Sequence, residues 1–221
     1  MRHATRAALL ALLATTPALA QSADESRSGP RPILPREFEI ALARSAAPPT
    51  VSAQARVLVL TDQGFVVADS GSNGVTCLVD RSWRRSLEPH CYDAEGAASI
   101  LPMELRRTEM RHRGRPEDEI DRDLAAGLAN GRFRLPRRPA LTYMMSAGQV
   151  LYDDSGRSVG AWRPHLMIYH PYLTNAELGL PEAPDFRVGA VFDQGTPRST
   201  LVIIMAEFVA APLAASVPDS P

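Results

Sequence analysis

The chain has 221 residues, of which 45% are hydrophobic and 22% are charged, as is typical of a globular protein. Its 24 basic residues are all arginine, and 25 acidic residues bring the formal net charge to −1. This balance disfavours nucleic acid or an anionic membrane as the main partner. The lack of lysine excludes Schiff-base chemistry, a phosphate-loop lysine and a Ser-Lys dyad.

The first 20 residues predict a secretory signal peptide. Arg2 and Arg6 provide positive charge, residues 7–14 are apolar, and Ala18-Leu19-Ala20 is a small-x-small cleavage site. The apolar stretch is too short to span a bilayer, which needs about 20 residues. We therefore expect a soluble exported protein, periplasmic or extracellular, that is cut after Ala20.

Residues 36–209 are predicted to form a single α+β domain. Residues 21–35 are polar and rich in proline and glycine, and residues 210–221 are rich in alanine, proline and serine. These compositions predict a disordered lead-in and a disordered tail. The first predicted element of the domain is a short helix over Glu37–Arg44, which Pro48-Pro49 ends.

An antiparallel meander is predicted next, from three short valine-rich runs. The runs are Arg56–Leu60, Phe65–Ala68 and Val75–Val79. The Gly71-Ser72-Asn73-Gly74 segment before the third run contains Asn-Gly, a strong hairpin signal because both residues tolerate positive φ.

Cys77 and Cys91 are the only cysteines in the chain. Because an oxidising compartment favours pairing, we predict a disulfide between them, which would stabilise the fold by about 3 kcal/mol. The alternative is a Cys77 thiolate nucleophile served by His165 or His90.

Two central helices are predicted by capping residues and apolar periodicity. The first covers Pro102–His112, and the second begins at Pro116 with acidic residues in its first turn. Ile120, Leu124 and Leu128 recur every fourth residue along the second helix, so we expect them to form its buried stripe.

The second half of the chain returns to short strands. They are predicted at Leu141–Met145, Gln149–Tyr152, Leu166–Tyr169, Ala190–Phe192 and Thr200–Phe208. Strands, then helices, then strands without regular alternation favour an α+β fold. We expect an antiparallel sheet of about six to eight strands, with the two helices packed on it and one disulfide.

Aromatic residues are concentrated between Tyr143 and Tyr172, which hold five of the seven Trp and Tyr side chains. With His165, this segment could line a cleft, in which Tyr143, Trp162 and Tyr169 would bind a ligand. The alternative is a core sheet with amphipathic rings at its rim. His165 is the best candidate for a general acid or base.

Two other patterns are not assigned a function. His165 and His170 are five residues apart and would face opposite sides of a strand, so no metal site is predicted. The Gly-x-Ser-x-Gly match at Gly156–Gly160 lies in a turn-rich segment with no helix after it, and is therefore not interpreted as a nucleophile elbow.

Arginines cluster between Arg106 and Arg138. Arg132, Arg134, Arg137 and Arg138 have no acidic residue near them in sequence, which makes Arg132, Arg134 and Arg137 candidates for an anion site. The alternative is a solvated helical surface with i,i+4 pairs such as Asp118–Arg122.

Five short motifs resemble a family of exported bacterial proteins with no known activity. The motifs lie between about residues 36 and 170, at Glu39–Pro49, Asn73–Asp80, Ser99–Pro102, Tyr143–Ser146 and Pro164–Met167. The resemblance implies a secretory protein of the Gram-negative type and implies no cofactor or catalytic residue.

The sequence is consistent with two functions. The first is a binding or accessory protein of the cell envelope, whose partner would be an envelope component. The second is a hydrolase that acts on an envelope polymer with His165 as general acid or base. The sequence predicts no cofactor and no membrane span, and it does not identify the ligand.

Overall fold

The computed structural model describes residues 33–81, 86–152 and 157–212. The predicted signal peptide, residues 21–32 of the lead-in, residues 213–221 of the tail and Gly156 lie outside the described residues. The predicted cleavage site and most of both predicted disordered segments therefore stay predictions.

Helices and short strands follow one another along the described ranges. The helices are α1 (Arg36–Arg44), α2 (Pro49–Ser52), α3 (Ala94–Ser99), α4 (Leu101–His112) and α5 (Glu117–Ala129), with a 3₁₀ turn at Ala176–Leu178. The strands are β1 (Arg56–Thr61), β2 (Gly64–Asp69), β3 (Thr76–Asp80), β4 (Glu88–Tyr92), β5 (Ala140–Met144), β6 (Leu151–Tyr152), β7 (Ser158–Gly160), β8 (His165–Tyr169), β9 (Ala190–Phe192) and β10 (Thr200–Ile204).

Eight strands form one sheet in the order β2-β1-β3-β4-β5-β8-β10-β9, and β6 pairs with β7 separately. The α+β class, the two central helices and the large sheet are confirmed. The prediction of a purely antiparallel sheet is wrong, because β1 and β3 run parallel.

The parallel pair results from how the chain leaves β2. The connection after Asp69 does not turn back beside β2. Instead it passes the start of β1, so that β3 lies on the other side of β1 from β2. Backbone hydrogen bonds from Ser72 N to Gln54 O and from Arg56 N to Val75 O hold this crossing in place. The hairpin that the Asn-Gly signal predicts between β2 and β3 is therefore wrong: residues 72–74 form a bend, and β3 pairs with β1 instead.

One face of the sheet is closed by α1. Leu42 and Ala43 of α1 pack with Val57, Val79 and the two cysteines in a single buried cluster. Cys77 and Cys91 lie directly opposite each other on β3 and β4, and their sulfur atoms are 1.99 Å apart. The predicted disulfide is confirmed, and with it the Cys77 nucleophile alternative is removed.

A buried ion pair connects α1 to the ends of two strands. Glu39 Oε1 accepts hydrogen bonds from Arg81 Nη1, at 2.9 Å, and from the backbone nitrogen of Leu60 in β1, also at 2.9 Å. Arg81 follows β3 directly and also donates to the carbonyl oxygen of Val79. Both charged side chains are fully buried. Loss of either one would leave the other as a buried, unpaired charge, which is costly.

The opposite face is covered by α4 and α5 over only part of its width. Ile120 and Leu124, from the predicted stripe of α5, pack with Met110 of α4 against Leu78 and Tyr92 of the sheet. The predicted limits of α4 are correct to within one residue, and α5 begins one residue after its predicted start at Pro116. The packed cluster lies over β3 and β4, so the strands beyond β5 are left with a partly open face.

Gly71 tests whether the connection from β2 to β3 passes close to the start of β1. It has a φ of +60°, and a Cβ there would overlap the backbone of Ala55 and Arg56. Gly131 has a φ of +79° but no atom within 4 Å of the corresponding Cβ position. We expect G131A to lower the free energy of unfolding by about 1–2 kcal/mol, from backbone strain alone. The G71A variant should lose about 3 kcal/mol or more, since it adds the steric overlap. Urea denaturation of both variants measures the difference, and equal losses would contradict the close crossing.

Candidate functional site

A cavity of about 460 Å³ lies on the sheet face that carries α4. Most of its wall is apolar or aromatic, formed by Tyr92, Met144, Trp162, Met167, Tyr169, Phe186, Phe192, Val202 and Ile204. Its ionisable side chains are Asp80, Glu88, His90, Glu104, Arg163, His165, Asp193 and Arg198. A volume of several hundred Å³ with mainly apolar walls and a few polar groups is typical of small-molecule sites.

Strand alternation explains which side chains reach the cavity. Residues directly opposite each other on neighbouring strands share a face, and the face alternates along each strand. Met144 on β5 lies opposite His165 on β8, and His165 lies opposite Ile204 on β10. Met167 and Val202 form the next pair along the same face. The cavity is therefore lined by alternate residues of several neighbouring strands.

His165 has a fixed tautomer. Its Nδ1 atom lies 2.6 Å from the backbone carbonyl oxygen of Arg163. Because a carbonyl oxygen only accepts hydrogen bonds, Nδ1 must carry the proton, and Nε2 of the neutral ring is an acceptor. Burial lowers the pKa of His165, and the hydrogen bond to the Arg163 backbone raises it by a smaller amount. Nε2 has no hydrogen-bond partner among the described residues.

His90 is a second buried imidazole in the same cavity. Its Nδ1 atom lies 3.4 Å from the Tyr92 hydroxyl and 4.0 Å from a carboxylate oxygen of Asp80. Its Nε2 atom is buried without a hydrogen-bond partner. Burial, and secondarily the nearby His165, lower the pKa of His90 to about 4, while Glu104 acts in the opposite direction. The ring is therefore neutral near pH 7.

The remaining polar groups of the cavity are partly paired with one another. Glu104 on α4 lies 3.4 Å from Arg198, and the indole nitrogen of Trp162 donates to Glu88 at 3.4 Å. The Tyr169 hydroxyl donates to the sulfur of Met167 at 3.6 Å, and burial raises the Tyr169 pKa well above its usual value. The phenol is therefore protonated at neutral pH.

The predicted aromatic residues do not all reach one site. Trp162 and Tyr169 line the cavity together with His165. Tyr143 packs instead against the buried cluster beneath α1, on the other face of the sheet. It precedes Met144, which lines the cavity, and adjacent residues of a strand face opposite sides.

The predicted arginine patch lies outside the cavity lining, and the fold supplies acidic partners for much of it. Arg132 pairs with Asp123 at 2.8 Å, and Arg134 pairs with Glu95 at 2.5 Å. The backbone nitrogen of Arg137 also donates to Glu95, at 2.9 Å. The hydrogen bond from Arg134 is the main reason that the pKa of Glu95 is lowered. These partners come from residues that are distant in sequence or lie in the preceding helix.

Several cavity residues were not singled out from the sequence as candidate site residues. They include Phe186, Phe192, Val202 and His90. From the sequence, His90 is a possible partner of a Cys77 thiolate and is not a candidate site residue in its own right. The missed signal for His90 is its position directly before Cys91. A disulfide on one face of a strand directs the preceding side chain to the other face.

Comparison with known proteins gives no assignment. No protein family, curated protein or solved structure matches the chain. Within the described ranges, no cluster of three or more His, Cys, Asp or Glu side chains is arranged to hold a metal ion. The same part of the chain contains no helix that is long and apolar enough to cross a membrane.

The buried histidines predict a dependence of stability on pH. Between the unfolded pKa of His90, near 6.5, and its folded pKa of about 4, only the unfolded chain binds the proton. The free energy of unfolding therefore falls as the pH falls through this window, by up to about 1.4 kcal/mol per pH unit for one group. Asp80, Tyr92, Glu104 and His165 are the ionisable groups around His90.

We expect H90F to show a shallower loss of stability than the natural protein between pH 6.5 and pH 4, because one buried titrating group is gone. The matched control is H170F, since His170 is exposed and does not line the cavity. Urea denaturation at several pH values measures the slopes. Identical slopes for H90F and the natural protein would contradict the buried, neutral state of His90.

Proposed function

We propose that this protein is an exported binding protein of the cell envelope that takes a small, largely apolar molecule into the cavity on the α4 face. The observation that carries the proposal is the cavity itself, with its volume of about 460 Å³ and its nine apolar or aromatic wall residues. Removing apolar surface from water gains about 25 cal/mol per Å², so such a wall favours a hydrocarbon or aromatic body.

The proposal of export has separate support. The first 20 residues have the pattern of a signal peptide, and the buried Cys77–Cys91 disulfide is typical of proteins in an oxidising compartment. The arginine patch supports an envelope-binding role less well than the cavity does. Two of its three candidate side chains are already paired, with Asp123 and with Glu95.

Binding of an uncharged aromatic probe tests the proposed function. N-phenylnaphthylamine becomes fluorescent in apolar surroundings, and we expect saturable binding to the purified protein. V202W should weaken this binding about tenfold or more, because Val202 lines the cavity and an indole there occupies its volume. L201W is the matched control, since Leu201 is the neighbouring residue and faces the other side of β10.

The binding experiment requires that both variants are folded. The circular-dichroism spectra and melting temperatures of V202W and L201W should be compared first, so that misfolding is recognised. A natural protein that does not bind the probe, or a folded V202W that binds it as well as L201W does, would show that the cavity is not a ligand site.

A second candidate function, hydrolysis of an envelope polymer, is favoured by the tautomer of His165. With Nδ1–H held by the Arg163 carbonyl, Nε2 is free to take a proton from a reacting group. No described side chain hydrogen-bonds to Nε2, so the group it would activate is water rather than a side-chain nucleophile.

Turnover of peptidoglycan or its fragments by the purified protein tests the hydrolase. If the protein is such an enzyme, H165A should lower the rate about 100-fold or more, as expected for loss of a general base. H170A changes an exposed histidine outside the cavity and should leave the rate unaltered. No turnover by the natural protein, or equal rates for the two variants, would reject the hydrolase and leave the binding function standing.

A further inference from the structure

The charged side chains that line the cavity differ in depth according to their sign. Asp80 and Glu88 are buried, with 4% and 5% of their surface exposed, and the Glu104 side chain is 19% exposed. The two arginines of the lining are closer to solvent, since the Arg198 side chain is 39% exposed and Arg163 is an exposed residue. Water and salt screen a buried charge less than an exposed one. The buried part of the lining is therefore negative.

Asp80, at the end of β3, has one carboxylate oxygen without a partner. Its Oδ1 atom accepts hydrogen bonds from Arg81 N at 2.6 Å and from Thr108 Oγ1 at 2.9 Å. Its Oδ2 atom accepts no hydrogen bond from the described residues, and it keeps accessible surface, unlike Nε2 of His90. The side chain is only 6% exposed and lines the cavity. A buried carboxylate is costly unless a cation or hydrogen-bond donors compensate it.

The basic groups near Asp80 do not provide that cation. Within the described ranges, the only basic atom as close as 4.0 Å is Nδ1 of His90. That ring is neutral near pH 7, because burial lowers its pKa to about 4. The guanidinium of Arg81 donates to Glu39 beneath α1, and the guanidinium of Arg111 on α4 donates to Glu117 at 2.7 Å. Asp80 therefore has no positively charged partner in the described part of the chain.

The open side of the cavity carries aromatic rings. Trp162, Phe186 and Phe192 line it and are 53%, 43% and 42% exposed. The two phenylalanine rings are stacked, with their centroids 6.0 Å apart. Aromatic rings bury hydrocarbon, and their faces also attract cations. A ligand that combines a cationic end with an apolar body therefore fits both the rings and the buried carboxylate.

We propose that the ligand is a protonated amine, whose ammonium group enters the cavity first and donates a hydrogen bond to Asp80 Oδ2. A primary ammonium group is compact and carries three donors and a full positive charge. It therefore provides both the hydrogen bond and the charge that Oδ2 lacks. The hydrocarbon body of the ligand lies against the apolar wall and extends toward Trp162 and the two phenylalanines. This inference rests on the proposed binding function and adds the chemical class of the ligand.

Three ligands with the same chain length separate charge from apolar burial, namely octylamine, octanol and octanoate. Calorimetry of the full chain at pH 7, where the amine is protonated and octanoate is ionised, gives the affinities. We expect octylamine to bind about tenfold more tightly than octanol, which is the effect of one charge-assisted hydrogen bond in a buried site. Octanoate should bind most weakly, because it brings a second negative charge to Asp80.

The D80N variant locates the ammonium group. It keeps the size of the side chain and removes its charge, so octylamine and octanol should bind with about equal affinity. D62N is the matched control, because Asp62 is exposed in the turn between β1 and β2 and does not line the cavity. It makes the same change of net charge and should keep the full preference for the amine. The ratio of the two affinities is measured within each variant, so a general change of affinity does not alter the result.

Circular-dichroism spectra show whether D80N is folded, and D193N provides a second comparison if it is not. Asp193 lies at the exposed part of the lining and has no ion-pair partner among the described residues. Its φ of 50° is one that asparagine tolerates, so we expect D193N to fold. Loss of this exposed charge should lower the preference for octylamine about threefold.

The possible failures are distinct. Equal binding of octylamine and octanol by the natural protein, or tightest binding of octanoate, would overturn the amine inference while N-phenylnaphthylamine binding still supports the binding function. A full preference for octylamine in folded D80N, or an equal loss of preference in D62N, would also overturn it, because the ammonium group would then not lie at Asp80. If D80N does not fold, an unchanged preference in D193N would overturn it. Binding of none of the ligands and none of the probe would overturn both proposals.

Discussion

The disulfide between Cys77 and Cys91 fixes the strand register on which the cavity depends. The two cysteines lie directly opposite each other, and both are fully buried beneath α1. Because side chains alternate along a strand, Cys91 on this face requires His90 and Tyr92 on the other. A slip of β4 by one residue would bury His90 beneath α1 and turn the cysteine toward the cavity. The covalent bond between the strands excludes that arrangement.

The two faces of the sheet are closed in different ways, and the difference leaves space for the cavity. Beneath α1, small alanine side chains allow close packing, and the buried Glu39–Arg81 pair holds the helix to the strand ends. On the other face, α4 and α5 are joined by ion pairs such as Arg106–Asp123 and Arg111–Glu117. This pairing makes the two helices one unit that packs over β3 and β4, so the face of β8 and β10 stays available.

The helices and most strands could be predicted because each has a local pattern of its own. The acidic first turn of α5 and its apolar spacing identify that helix without tertiary information. No such pattern predicts β4, because Pro89 and the polar residues Glu88 and His90 are unfavourable in a strand. Its pairing is imposed by Cys91. Likewise, the pairing of β3 with β1 depends on contacts that no local pattern encodes, namely the close approach of Gly71 to Ala55 and Arg56 and the hydrogen bond from Ser72 N to Gln54 O.

Only the site residues that lie close together in sequence could be predicted. Trp162, His165 and Tyr169 belong to β8 or its approach, so a single segment brings them together. His90 joins them from a strand that lies two positions away in the sheet, a relation that sequence separation does not encode. The set of ionisable groups at this end of the cavity therefore depends on the order of the strands in the sheet. Two neutral imidazoles add polarity to an apolar cavity without the desolvation penalty of a buried ion.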